Sequence, residues 1–210
     1  TYVKKDQKLE MTVPVRKTVT GAQTDEVFRF TMEAQPSDPP APMPAGAGLN
    51  DNGKLCVTTE TTGSLSGTTV NFDTIEITAE KVMYDGYSAP YRVTYGWTVR
   101  EVIPETPREG VTYDQGWYEI MATFGIDEDG KLVIWQNDVY DDDWNVIGSK
   151  PAVSIYHYGA DGSYKEIDYN DGDFVLDFVN DIALATVSVK KEWEGEAPDG
   201  VDLTDYLTVH

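Results

Sequence analysis

The 210-residue sequence is dominated by short segments in which apolar and polar residues alternate with a period of two. This period places the apolar side chains on one face of a β-strand, so it restricts the chain to β-structure. The alternation occurs in residues 9–18, 27–34, 55–61, 70–78, 91–102, 117–125, 132–137, 153–158 and 174–180. Turn residues rich in Gly, Asp and Asn separate these segments. Many short strands joined by frequent turns predict an all-β sandwich or barrel.

Two segments depart from this pattern. Residues 35–48 contain five prolines and are predicted to form an irregular loop, and residues 80–87 to hold one short helical turn. A chain of this length buries a substantial core, so it needs no disulfide to fold. The single cysteine, Cys56, has no neighbouring His or basic cluster that would activate its thiol. We therefore expect Cys56 to be a buried or half-buried strand residue.

The charge and hydropathy of the chain exclude several classes of partner. The chain carries 37 acidic and 16 basic residues, a net charge of -21, whereas nucleic acids and anionic membranes bind positive surfaces. No stretch of 18 apolar residues is present, so we expect no membrane contact by this chain. The N-terminus lacks a basic-then-apolar signal pattern, and we expect the signal and wall anchor of an exported protein to lie outside these residues.

No motif in the sequence predicts a metal or a cofactor. Residues 168–173 superficially resemble a calcium loop, but glycine stands at the fifth place instead of the sixth and no glutamate stands at the twelfth. This loop and the aspartates at 138 and 141–143 are both predicted to be solvated turns. His157 and His210 are too few and too far apart for a zinc site or a Ser-His-Asp arrangement. A Gly-rich phosphate loop is also lacking, so we expect no nucleotide enzyme.

Three polar residues, Lys17, Glu101 and Asn180, lie far apart in the sequence, each within an alternating apolar segment. Taken singly, each has an ordinary explanation as a solvated strand lysine, a surface carboxylate or a turn asparagine. Taken together, they resemble the groups that form a Lys-to-Asn isopeptide bond. Burial favours the neutral amine of lysine, which is the nucleophile, and the protonated carboxyl of glutamate, which polarises the amide and shuttles protons.

The order and spacing of these residues resemble the FctA-type backbone pilins of Gram-positive bacteria. The resemblance spans roughly residues 10–182 and is carried by Lys17 and by residues 28–30, 42–46, 72–77, 91–101, 110–113, 118–123 and 174–180. Residues 97–104 also resemble the pilin E-box, whose glutamate corresponds to Glu101. The resemblance implies an immunoglobulin-like (CnaB-like) β-sandwich in which Lys17 and Asn180 become crosslinked and Glu101 is the catalyst.

A second resemblance begins near residue 184. Residues 186–193 and 203–209 are similar to the first strands of a collagen-adhesin B-type domain. In that family the isopeptide lysine stands two places before a tryptophan, and the corresponding residue is Lys191. The remaining strands, the catalyst and the asparagine of such a domain are missing, so we expect Lys191 to remain a free amine within this chain. We therefore expect a pilin-type domain at residues 1–183 and the beginning of a second, CnaB-like domain at residues 184–210.

These resemblances imply a structural subunit or stalk domain of an extracellular, wall-attached pilus or adhesin. Its partners would be neighbouring pilin or stalk domains, and it would be no enzyme beyond its single crosslinking reaction. The alternative is a ligand-binding adhesin domain, in which exposed aromatic residues bind a host protein or a glycan. The candidates for that role are Trp117, Trp135, Tyr140 and Trp144. A secreted hydrolase is disfavoured, because no motif singles out a catalytic carboxylate pair.

Overall fold

The structure, a computed structural model, describes residue 3 and residues 5–83, 91–169 and 173–184. Within these ranges it contains sixteen strands and one helical turn. The elements are β1 (Lys8–Met11), β2 (Pro14–Gly21), β3 (Val27–Ala34), β4 (Gly48–Leu49), β5 (Leu55–Thr62), β6 (Thr68–Asn71), β7 (Ile75–Thr78), α1 (Ala79–Val82), β8 (Arg92–Glu101), β9 (Val111–Thr112), β10 (Trp117–Ile126), β11 (Leu132–Ile134), β12 (Gln136–Tyr140), β13 (Val146–Pro151), β14 (Val153–Tyr158), β15 (Tyr164–Ile167) and β16 (Leu176–Ile182).

Two sheets form a β-sandwich. The larger sheet has the strand order β15-β14-β10-β8-β3-β5-β4, with β11 also paired to β10, and the smaller has the order β6-β2-β16-β9. The rings of Phe30 and Tyr118 in the larger sheet each lie 5.1 Å from the ring of Phe178 in the smaller one. The inward faces of the two sheets therefore share one hydrophobic core. This architecture confirms the predicted all-β sandwich.

The smaller sheet pairs β2 with β16 in parallel, and Lys17 lies opposite Phe178 in this pairing. Because side chains alternate between the two faces of a strand, Lys17, Phe178 and Asn180 all face the core. Arg16 and Asp177 face outward, where the Arg16 guanidinium donates two hydrogen bonds to the Asp177 carboxylate. An ion pair on the outer face and polar groups on the inner face thus connect the same two strands.

Three segments that the sequence predicts as single strands are divided in the structure. Residues 9–18 form β1 and β2, residues 70–78 belong to β6 and β7, and residues 132–137 belong to β11 and β12. In each case the two strands join different sheets, since β1 pairs with β7 and β12 pairs with β13 outside the two main sheets. Alternation identifies the buried face of a strand but not the neighbour to which it pairs, so it does not mark these changes of sheet.

Two strands of ordinary length are not predicted by the alternation. β13 and β15 are solvent-exposed along almost their whole length, so they carry no apolar face. β13 forms a hairpin with β12, and β15 forms an edge of the larger sheet beside β14. Backbone pairing places these strands beside their neighbours, and it leaves no period-two signal in the sequence.

The predicted irregular loop at residues 35–48 is irregular until β4 begins at its last residue. The indole N–H of the fully buried Trp97 donates to the carbonyl oxygen of Pro42 at 2.9 Å, so this loop packs directly on the core. The helical turn predicted at residues 80–87 begins one residue earlier, where Thr78 caps α1 by accepting a hydrogen bond from the Lys81 backbone N–H. In the described ranges, no helix has the length and apolar character needed to cross a membrane.

Three predictions from the sequence fall wholly or partly outside the described ranges. They concern residues 84–87 of the predicted helical turn, residues 170–172 of the predicted turn at 168–173, and all residues from 185 onward. The domain boundary near residue 184 and the CnaB-like character of residues 184–210 therefore stay predictions.

We expect Gly63→Ala to destabilise the sandwich. A Cβ at residue 63 would lie 2.6 Å from Val19 Cγ1 and 2.8 Å from Phe28 Cε2, and both of these neighbours are buried. Overpacking of this kind costs about 1–3 kcal/mol. Gly148→Ala is the matched control, because no atom lies within 4 Å of a Cβ at that residue. Denaturant unfolding checks the difference, and equal midpoints for the two variants would contradict it.

Candidate functional site

Lys17 lies in the middle of β2, and its side chain is fully buried between the two sheets. Val15 and Val19, two residues away on either side, are buried as well, so the strand alternation directs Lys17 into the core. Its Nζ lies 4.7 Å from the centre of the Phe28 ring. A charged amine in this apolar environment is costly unless a polar group pairs with it.

Glu101 pairs with this amine. It is the last residue of β8 in the larger sheet, and its side chain is inaccessible to solvent. Its Oε2 lies 2.7 Å from Lys17 Nζ, and its Oε1 accepts a hydrogen bond from Asn180 Nδ2, also at 2.7 Å. Asn180 is fully buried in β16. The structure thus brings together the three residues that the sequence singles out, with Glu101 between the other two.

Burial sets the protonation of the pair. It lowers the pKa of Lys17 and raises the pKa of Glu101, because both charged forms lose their solvation. The attraction between ammonium and carboxylate acts in the opposite direction on both groups but is the smaller cause. Transfer of one proton along the 2.7 Å hydrogen bond converts the ion pair into an amine and a carboxylic acid. Burial therefore favours the neutral amine of Lys17 and the carboxylic acid of Glu101 over the ion pair.

A contact that the sequence does not predict fixes the Asn180 amide. The backbone N–H of Asp114 donates to Asn180 Oδ1 at 2.7 Å. Because a backbone N–H only donates, it orients the amide with its oxygen toward Asp114 and its nitrogen toward Glu101. The sequence carries only a weak signal for this contact, the Asp-x-Gly pattern of residues 114–116, which is typical of turns.

A second carboxylate, that of Glu26, lies at the edge of the site and was also missed by the sequence analysis. Its Oε1 accepts a hydrogen bond from the Tyr113 hydroxyl at 2.6 Å, and its Oε2 lies 3.6 Å from Arg108 Nη1. Its negative charge raises the pKa of Lys17, but it is the smallest of the named causes. Among the described residues, Glu101 is therefore the carboxyl group in hydrogen-bond contact with the Lys17 amine.

This arrangement contains every group that amide formation between two side chains requires. Lys17 carries the amine nucleophile, Asn180 the acyl carbon, and Glu101 a carboxyl group in contact with both nitrogens. The geometry is that of the unreacted side chains. Because the site is held between two packed sheets, the reacting groups are pre-oriented and shielded from water.

The four aromatic residues of the adhesin alternative lie in three separate environments. Trp117 is half-buried under the Arg100 guanidinium, and Trp135 packs beneath Arg92. Tyr140 and Trp144 contact each other at 6.1 Å on the exposed β12–β13 hairpin. The structure thus does not gather these four residues into one patch.

The other residues considered from the sequence either pack within the fold or lie outside the described residues. Cys56 is half-buried in β5 and forms no disulfide, and His157 stacks on Tyr118 with ring centres 4.5 Å apart. Lys191 and His210 lie outside the described residues. The prediction of a turn at Asp138 is wrong, because Asp138 lies in β12 and pairs with Ser149. Asp141 does lie in a turn, where it accepts the Asn145 N–H. Within the described ranges, no group of three or more His, Cys, Asp or Glu side chains is arranged to hold a metal ion.

Comparison with solved structures finds pilins of Streptococcus pyogenes. The major pilin of this organism is 16% identical, with a TM-score of 0.36, and the match covers 82% of this chain and 50% of the pilin. A mutant of the same major pilin matches with 16% identity, a TM-score of 0.38 and the same coverage. The T-13 major pilin is 17% identical over 84% of this chain and 54% of its own, with a TM-score of 0.34. The chain spans about half the length of the solved pilins it matches.

A search of curated proteins finds no match. The profile of the family described as FctA, Spy0128-like isopeptide containing domain, matches residues 13–146. The matched range includes Lys17 and Glu101 and ends before Asn180. Because it covers more than half of the chain, the protein belongs to the FctA family of Spy0128-like isopeptide containing domains.

Proposed function

We propose that this chain is a structural domain of a bacterial cell-surface pilus or adhesin stalk, and that it forms an isopeptide bond between Lys17 and Asn180 with Glu101 as catalyst. The observation that carries the proposal is the position of the two nitrogens, Lys17 Nζ and Asn180 Nδ2. Each lies 2.7 Å from a different oxygen of one buried carboxyl group. Membership of an isopeptide-containing family supports the same chemistry.

The reaction follows from these contacts. Glu101 takes a proton from the Lys17 ammonium, and the neutral amine attacks Asn180 Cγ, so that a C–N bond forms and the carbonyl becomes tetrahedral. Glu101 then delivers a proton to Nδ2, the Cγ–Nδ2 bond breaks, and ammonia leaves. Glu101, again a carboxylate, takes a second proton from Nζ and leaves the single N–H of a secondary amide, so the balance is one amine plus one primary amide to one isopeptide bond plus ammonia.

The bond would make the domain resistant to extension under tension. It would join β2 to β16, the strands that carry Lys17 and Asn180 and enclose most of the domain in sequence. Tension entering at β2 and leaving at β16 would pass through the crosslink, and residues 18–179 would not be extended. Closing a loop of this length contributes on the order of 5 kcal/mol through the unfolded state, by analogy with disulfides.

The setting of this function is the outside of a Gram-positive cell, attached to the wall, with neighbouring pilin or stalk domains as partners. The resemblance of residues 184–210 to the first strands of a CnaB-like domain supports a neighbour of this kind directly after the sandwich. The crosslinking is a single-turnover reaction within one molecule, so the protein is a structural component and not an enzyme.

A second candidate function is ligand binding by an aromatic cluster on the outer face of the larger sheet. Trp117 stacks on Tyr158 at 5.1 Å with the Arg100 guanidinium 4.6 Å above it. Tyr164, which is 71% exposed, lies 6.1 Å from Tyr158. Stacked rings beside a cationic side chain suit a glycan or a host protein segment. Of the four aromatic residues expected for this role, only Trp117 belongs to this cluster.

We expect the purified chain to weigh one ammonia less than its sequence, because the Lys17 and Asn180 side chains are pre-oriented around Glu101. Intact-mass spectrometry measures the loss. Peptide mapping should then recover the peptides that contain Lys17 and Asn180 as one joined species. The full sequence mass in folded protein would reject the proposal.

We expect Glu101→Gln to fold without crosslinking. Glutamine keeps the size of the side chain and a hydrogen bond to Lys17 or Asn180, but it cannot accept the proton of the ammonium. Glu26→Gln is the matched control, because Glu26 does not contact the Lys17 amine and its loss should leave the crosslink intact. Intact mass distinguishes them, and loss of ammonia by Glu101→Gln would show that another acid, or none, is needed.

We expect Lys17→Ala to keep the fold but lose stability, since the tie to Asn180 can no longer form. A loss of about 5 kcal/mol corresponds to a fall of roughly 10–20 °C in melting temperature for a domain of this size. Limited proteolysis should also begin in the strands near both ends of the domain.

Lys17→Met separates the crosslink from simple core packing. Methionine fills nearly the same volume, so a packing defect would be repaired while the crosslink would still be missing. Both variants should therefore melt well below the wild type. If Lys17→Met has the stability and the proteolysis pattern of the wild type, the proposed stalk function is contradicted and the ligand-binding alternative is favoured.

A further inference from the structure

We infer that the turn at Asp114 forms part of the reaction centre: its backbone N–H holds the negative charge that develops on Asn180 Oδ1, and its carboxylate positions that N–H. This inference rests on the proposed crosslinking function. The contact that carries it is the 2.7 Å hydrogen bond from the Asp114 backbone N–H to Asn180 Oδ1.

The oxygen of the Asn180 amide is where charge must accumulate. When Lys17 Nζ bonds to Cγ, the electron pair of the C=O double bond moves to Oδ1, and it returns when the Cγ–Nδ2 bond breaks. Glu101 contacts Nζ and Nδ2, the two nitrogens between which the proton moves. The Asp114 N–H contacts Oδ1 instead. Proton transfer and stabilisation of the oxyanion are thus divided between two elements of the fold.

The carboxylate of Asp114 ties this N–H to the strand that carries the substrate amide. Its Oδ2 accepts a hydrogen bond from the Val179 backbone N–H at 3.0 Å, and its Oδ1 accepts one from Gly116 N–H at 2.8 Å. The first bond attaches the turn to β16 one residue before Asn180, and the second closes the turn itself. Asp114 is therefore bonded to two adjacent residues of β16, to Val179 through its carboxylate and to Asn180 through its backbone N–H, and these bonds fix its position relative to the amide.

The surroundings of the turn leave it little freedom to move. A Cβ at Gly116 would lie 2.7 Å from His157 Nε2 and 2.9 Å from the carbonyl oxygen of Tyr158, so the turn packs closely on β14. On its other side, β9 ends only two residues before Asp114. The Asp114 carboxylate thus extends the attachment to β16 beyond the last backbone pair of β9. A donor held this rigidly needs no reorganisation during the reaction.

The test compares crosslinking rates of the full chain and three variants, sampled by intact mass at intervals after cell-free synthesis. Asp114→Ala removes both acceptor oxygens, and Asp114→Asn keeps one. Asp161→Ala is the matched control, because Asp161 Oδ1 accepts the Ser163 N–H in a similar turn outside the site. Near-ultraviolet circular dichroism measures the folded fraction, so that each rate is expressed per folded molecule.

We expect Asp114→Ala to lose ammonia about 10- to 100-fold more slowly than the wild type. Complete removal of one oxyanion donor slows a reaction about 100- to 1,000-fold, and this variant displaces the donor without removing it. Asp114→Asn should fall in between, and Asp161→Ala should match the wild type. A purely structural role would lower the folded fraction but leave the rate per folded molecule unchanged.

The outcomes separate the two proposals. If the wild type crosslinks and Asp114→Ala reacts at the same rate per folded molecule, the role of Asp114 is overturned and the proposed function stands. If the folded wild type never loses ammonia, the proposed function is overturned, and the role of Asp114 with it. A slow Asp114→Ala beside a fast Asp161→Ala supports both.

Discussion

The contact between the Lys17 amine and the Glu101 carboxyl in the middle of the sandwich is the constraint around which the surrounding structure is arranged. Groups of this kind lose their hydration on burial, and a buried ion pair is seldom more stabilising than a well-packed apolar pair. The site offsets part of this cost by giving hydrogen-bond partners to the Lys17 amine and to both ends of the Asn180 amide. The energetic penalty has a chemical benefit, because the same burial raises the pKa of Glu101 and lowers that of Lys17.

The main features of the fold were predictable because one face of most strands is buried. Alternation identified the core-facing strands that carry the site, and the frequency of turns identified an all-β chain. Alternation did not reveal that residues 9–18 change sheets between β1 and β2, since a strand buried on one face looks the same whichever neighbour it pairs with. The exposed strands β13 and β15 bury almost nothing and are held by backbone pairing.

The residues of the site also fall into those that the sequence predicts and those that only the structure reveals. Lys17, Glu101 and Asn180 stand out in the sequence because a charged or amide side chain interrupts an apolar face, and their resemblance to a known family adds their order and spacing. Asp114 acts through its backbone N–H, which every residue except proline possesses, so its side chain gives little indication of the role. Glu26 comes near Lys17 only through the tertiary fold. Contacts of these two kinds become visible only in three dimensions.

The parallel pairing of β2 with β16 gives the domain a direction. Because both strands run the same way, the start of β2 and the end of β16 lie at opposite ends of the smaller sheet. A pull between those ends slides one strand along the other and strains their hydrogen bonds together, whereas an antiparallel pair pulled at one end would open bond by bond. Copies joined through these ends would all point the same way along a row, and in each copy the proposed crosslink would take the load that otherwise shears the β2–β16 hydrogen bonds.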